Sequence, residues 1–257
     1  MTTTKPTIVL VPGAWHSPAS FAPTTALLEA SGYTVHAVSL PSVGANPPLE
    51  NWDADVSAIR TTVESAIGTG NDVVVVMHSY GGLPTQDAVK GLDASSRSAS
   101  GQRGGVIRLV YLAAFFADEG GYLMGFLGDQ DLPWFDRKDD RTLSPATPLE
   151  TFYHDVPYEL ATKNIASLQP HSYQTFWSKT SYAAWKHIPS TYLVCEDDKA
   201  IPAQSQDGLL AGAKENGGKF DTVERVKASH SPFLSVPEWT AGALRRACGE
   251  DVPITAV

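Results

Sequence analysis

Six short apolar runs, at residues 7–11, 33–40, 72–77, 106–112, 191–195 and 222–226, recur along the chain at intervals that leave room for helices. The run Val73-Val74-Val75-Val76 has no polar alternation, which is the pattern of a strand covered by helices on both faces. Amphipathic segments lie between the runs, at 21–30, 53–67, 82–92, 203–213 and 237–248. Strands alternating with helices predict an α/β architecture: a doubly wound, mostly parallel six-stranded sheet with helices on both faces.

Two stretches break this rhythm. Residues 93–105 (DASSRSASGQRGG) are rich in Ser and Gly and read as a mobile surface connection. Residues 119–187 are too many for a loop, contain no good strand pattern, and hold half of the chain's Phe, Trp and Tyr. They are expected to form a helical cap inserted between two strands, with residues 1–118 and 188–257 forming the core. Five prolines in the cap, Pro133, Pro145, Pro148, Pro157 and Pro170, interrupt its helical periodicity.

At 257 residues, one α/β domain with an insertion accounts for the length. Apolar residues at 42% and charged residues at 18% suit a globular protein, and no apolar run reaches the roughly eighteen residues of a membrane span. The stretch from Met1 to Pro12 lacks the apolar region of a leader, so a cytoplasmic location is expected. A formal charge of −9 argues against a nucleic-acid partner. Cys195 and Cys248 make neither a disulfide framework nor a cysteine-based zinc site. A small, largely apolar molecule is the expected partner of a monomer or homodimer.

The chemistry concentrates where strands end. The third strand runs into His78-Ser79-Tyr80-Gly81-Gly82 and then a helical pattern, which puts Ser79 at the apex of a tight strand-to-helix turn. Such a turn strains its central residue, and small neighbours relieve the crowding. Ser79 is the candidate nucleophile. A serine hydroxyl needs a base, and in this topology the base follows the last strand, where His230 lies in Ala228-Ser229-His230-Ser231-Pro232. His36, His154, His171 and His187 read as ordinary hydrogen-bonded histidines. A carboxylate after the fifth strand should orient the imidazole. Asp198 is the choice, with Asp197 and Glu196 open, because a strand ending one residue later would turn a different side chain inward. Amide donors for an oxyanion are expected at Tyr80 and at Ala14, beside Gly13 in the turn after the first strand.

The segments VLVPGAWH, VMHSYGG, YLVCEDDKAIP and SHSPFLSVPE, in this order, resemble the single-domain α/β-hydrolases that include plant methylesterases and hydroxynitrile lyases. The resemblance covers nearly the whole chain. It implies a triad of Ser79, Asp198 and His230, an oxyanion hole from the Ala14 and Tyr80 amides, and no metal or organic cofactor. It departs at Met77, where the family carries the first Gly of G-x-S-x-G, and at Pro12, where a His is frequent. The related lyases carry Thr or Asn in the oxyanion turn, and one type has Lys after the histidine; those places look like Gly13 and Ser231 here. Ester or lactone hydrolysis is therefore the expected activity, with a lyase or a non-catalytic ligand receptor as alternatives. Gly13, Trp15, His16, Phe115, Tyr122, Phe126, Trp134 and Trp177 are the residues expected around the substrate.

Overall fold

A computed structural model describes residues 5–139 and 141–254; Met1–Thr4, part of the stretch read for a leader, lie outside them, as do 255–257 and residue 140. The chain opens with β1 (Thr7–Val11), α1 (Ala22–Ala30), β2 (Val35–Ala37), α2 (Asp53–Ile67), β3 (Asp72–His78), α3 (Gly82–Ala88), α4 (Ala94–Ala99) and β4 (Gly105–Leu112). Between β4 and the next core strand come α5 (Leu123–Phe126), β5 (Phe135–Arg137), β6 (Thr142–Pro145), α6 (Pro148–Phe152), α7 (Tyr158–Ser167) and β7 (His171–Ser172). The chain then completes the core with β8 (Ser190–Cys195), α8 (Ala203–Glu215), β9 (Phe220–Val226), α9 (Pro232–Ser235) and α10 (Pro237–Ala247).

Six strands form one sheet in the order β2-β1-β3-β4-β8-β9, and every adjacent pair is parallel. This is the α/β-hydrolase fold. Val73 through Val76 are fully buried, and each such side chain contributes roughly 1.5–3 kcal/mol when taken out of water. The order reverses at β1, so right-handed crossovers place α1 on one face and α2 and α3 on the other. The packing agrees: α1 lies against α10, and α2 against α3. Register aligns the strand ends, with Val11 beside Met77, His78 beside Leu112, Leu112 beside Leu193, and Cys195 beside Val226. Turns leaving β1, β3, β8 and β9 consequently emerge along one edge, where ligands of open α/β sheets bind.

Three expectations need correction. Residues 93–105 are not simply a loop: Asp93 accepts from the Ser96 N–H at 2.8 Å and caps α4, while Arg97 donates to Gly104 O at 2.9 Å. One capping carboxylate outweighs the low apolar content there. The second strand spans only Val35–Ala37 rather than 33–40, because it pairs on one side alone and the Tyr33 N–H closes the end of α1 by donating to Leu28 O at 3.1 Å. The 119–187 segment is not all helical: β5, β6 and β7 form a small antiparallel sheet. These strands have two to four residues each, too few for alternation to show in sequence.

Candidate active site

Ser79 begins a short 3-10 turn directly after β3 and has φ +53°, a left-handed value that a non-glycine residue holds only under constraint. The turn can form because its neighbours lack side chains. A Cβ on Gly81 would stand 2.4 Å from Pro12 O, and one on Gly82 would stand 2.1 Å from Phe115 O. The nucleophile turn is therefore wedged between the ends of β1 and β4, and the Phe115 N–H donates to Ser79 O at 3.1 Å. Gly13, in the same turn after β1, also closes on it; a Cβ there would lie 2.9 Å from the Cβ of Ser79. Met77, at the place of the family glycine, is fully buried in the sheet.

Among the three acids after β8, Glu196 and Asp197 are exposed and Asp198 is buried. Glu196 pairs with Arg225 at 2.9 Å. Asp198 Oδ1 accepts from the N–H groups of Ala200 (2.7 Å) and Ile201 (2.8 Å), which leaves Oδ2 for the Nδ1–H of His230 at 2.6 Å. Gln206 on α8 braces this loop, donating to Ile201 O at 2.7 Å and Cys195 O at 3.0 Å. With Nδ1 committed to a carboxylate, the other ring nitrogen of His230 is the one able to take a proton.

The loop carrying His230 is held from three directions. His78 Nε2 donates to His230 O at 2.8 Å, the Ser229 N–H donates to Asp155 Oδ2 at 2.7 Å, and Ser229 Oγ donates to Phe152 O at 2.9 Å. The last two contacts come from the segment between β4 and β8. Burial holds the His78 imidazole well below its usual pKa, with the neighbouring histidines His230 and His16 adding to the effect. His16 is likewise neutral: Nδ1–H donates to Ala14 O at 2.7 Å, Nε2 accepts from Tyr153 OH at 2.7 Å, and burial lowers its pKa to about 4.

Ser79, His230, Ala14 and Tyr80 line one cavity of about 360 Å³, counted to its open mouth. Trp15, Phe115 and Trp134 also line it, as expected from the sequence. Gly13, His16, Tyr122, Phe126 and Trp177 are not on its wall. Gly13 lies behind the nucleophile turn, and His16 is spent on the contacts above. Tyr122 stacks on Trp177 at 6.0 Å and donates to Asp129, while Phe126 is 42% exposed, stacks on Phe115 at 5.6 Å and lines a groove that adjoins the cavity. Sequence reasoning missed Phe135, Phe152 and Phe176 on the wall, together with Leu123, Leu127, Leu132, Ala200 and Ile201. Of these, only the three phenylalanines belonged to the aromatic enrichment that marked the segment.

A family model described as the alpha/beta hydrolase family matches residues 8–243. The chain is 36% identical over 254 residues to alpha/beta hydrolase nvfD of Aspergillus novofumigatus, spanning 97% of this chain and 99% of that protein. It is 27% identical over 254 residues to methylesterase 7 of Arabidopsis thaliana, spanning 90% and 91%. Among solved structures, polyneuridine aldehyde esterase superposes with a TM-score of 0.76 at 18% identity, covering 95% of this chain and 99% of the other.

Proposed function

Because the chain belongs to the alpha/beta hydrolase family, we propose that it is a serine hydrolase that cleaves a carboxylic ester, a lactone being an internal case, through an acyl-enzyme. The observation that carries this reading is the buried Asp198–His230 pair opening on the same cavity as a strained Ser79. Ser79 Oγ attacks the carbonyl carbon while His230 takes its proton on the free ring nitrogen. The Ala14 and Tyr80 N–H groups stabilise the oxyanion, each worth roughly 3–4 kcal/mol judged by deletion. His230 returns the proton to the departing alcohol, and water repeats the sequence to release the acid. Asp198 remains ionised and holds the imidazole in the useful tautomer.

The substrate is largely apolar or aromatic. The cavity wall carries Trp15, Phe115, Trp134, Phe152 and Phe176, and among the described residues His230 is its sole ionisable side chain apart from the Tyr80 phenol. An open groove of about 1020 Å³ shares Phe115, Leu127, Leu132, Ala200 and Ile201 with the cavity and extends to Leu209 on α8. It suits a longer apolar arm on the acyl or alcohol side. Residues 119–187 act as a cap, supplying Trp134, Phe152 and Phe176 to the wall and two anchors to the histidine loop.

The test is labelling by a fluorophosphonate together with turnover of aryl and methyl esters, in wild type and Ser79→Ala. Labelling and acid release that vanish in Ser79→Ala support the reading. A wild-type protein that resists the label and leaves every ester intact defeats it, and release of a carbonyl compound without consumption of water marks a lyase instead.

A further inference from the structure

Asp55 is fully buried in the first turn of α2, and the mechanism above makes no use of it. A carboxylate removed from water is destabilising by several kcal/mol unless its oxygens are matched by donors or a cation. Among the described residues no cation pairs with it, and three neutral donors surround it instead. Oδ1 accepts from the Ser42 N–H at 2.9 Å; Oδ2 accepts from Ser42 Oγ at 2.6 Å and from Tyr80 OH at 2.8 Å. The N-terminal end of a 15-residue helix adds a favourable dipole. Burial still pushes the carboxyl pKa up, against the pull of those donors.

These contacts connect four parts of the molecule at the residue after the nucleophile. Tyr80 follows Ser79, and its ring packs edge-on to His171 at 4.7 Å, against Phe176 at 5.4 Å and against Trp52 at 6.5 Å. Ser42, which shares Asp55 with Tyr80, accepts on its carbonyl from the Ser172 N–H at 2.9 Å and Ser172 Oγ at 3.0 Å. Helix α2, the turn carrying Ser42 and the nucleophile turn therefore converge on one carboxylate, and β7 of the 119–187 segment joins them through the Ser42 carbonyl.

We propose that Asp55 is a positioning residue that fixes the Tyr80 side chain, and with it the Tyr80 N–H, in the direction an oxyanion requires. This rests on the serine-hydrolase reading. The backbone of the strained 3-10 turn at Ser79–Gly81 is held by the ends of β1 and β4, and the Tyr80 phenol anchored on Asp55 adds a side-chain tie to α2. An amide displaced by a fraction of an ångström still leaves substrate bound but stabilises the transition state less.

The experiment compares Asp55→Asn, Tyr80→Phe and the double variant for ester turnover, fluorophosphonate labelling rate and Tm. Tyr80→Phe removes only the hydroxyl and leaves the backbone amide, so it guards against misfolding of the Asp55 variant. Each single change should lower kcat about tenfold to a hundredfold with KM within about twofold, and slow labelling in parallel. The double variant should be no slower than the worse single one, because both break the same contact. Unchanged kcat and labelling in both single variants, whatever the Tm, would overturn the proposal, as would fully additive losses. A wild-type protein inert to label and ester alike defeats the serine-hydrolase reading and this proposal with it, whereas variants that label at Ser79 as fast as wild type defeat the positioning role alone.

Discussion

Lowering the pH from about 7.5 to about 5 should weaken the fold through imidazoles that are buried neutral, and His16 gives the magnitude. Its pKa falls from 6.5 to about 4, chiefly through burial; the hydrogen bond to Ala14 O opposes the drop and His230 adds to it. Between those two values the unfolded chain binds a proton that the folded one does not, so stability rises with pH across the window and is lost as pH falls. Integrated down to pH 5, the loss is about 2 kcal/mol for His16. His171, held by burial at about 3, adds about 2 kcal/mol more, and His78 acts in the same direction. Asp55 and Asp87, whose carboxyls burial pushes up, act oppositely and offset part of the loss. The sum is a large share of the roughly 5–15 kcal/mol that holds a domain folded. Urea denaturation at a series of pH values, in wild type and in His16→Gln, measures it. Glutamine can donate to Ala14 O and accept from Tyr153 OH without taking a proton, so the variant should lose about 2 kcal/mol less between pH 7.5 and pH 5. Identical slopes in the two proteins would refute the reasoning.

Asp198→Asn should keep the fold, since the amide oxygen can still accept from the Ala200 and Ile201 N–H groups, yet lower kcat by about a thousandfold to ten-thousandfold with little change in KM; steady-state kinetics beside a thermal melt checks both. Gly208→Trp should fill the groove beside the cavity, because a Cβ at Gly208 has open space within 4 Å. Its kcat/KM should fall about tenfold for a long-chain p-nitrophenyl ester and stay within about twofold for the acetate. An equal effect along the chain-length series would show that no substrate arm uses the groove.

Much was legible in the linear chain because topology ties position to place. In a parallel sheet every strand ends at the same edge, so Ala14, Ser79, Asp198 and His230, each a few residues past an apolar run, had to emerge together once the runs were read as strands. The four-valine run and the glycines after Ser79 carried that reading, the first through two-sided burial and the second through contacts too close for any side chain. Short-range patterns did not show everything local: the strands of 119–187 are too short to alternate, and the cap on α4 rests on a single carboxylate.

Position along the chain favoured Asp198 but left Asp197 and Glu196 open, and the tertiary structure turns Asp198 inward because that is where the chain leaving the sheet aims a carboxylate at His230. Folding also decided the cavity wall, where Phe152 and Phe176 replace the expected Tyr122 and Trp177, because the path of the inserted segment sets which aromatic faces inward. Asp55 is the sharpest case. In sequence it is an acid in the first turn of an amphipathic helix, a common surface feature, and only folding brings Ser42 and Tyr80 to it. Periodicity and spacing are properties of neighbours along the chain and determine elements and their order; burial and hydrogen bonding between distant residues are properties of packing and exist only once those elements meet.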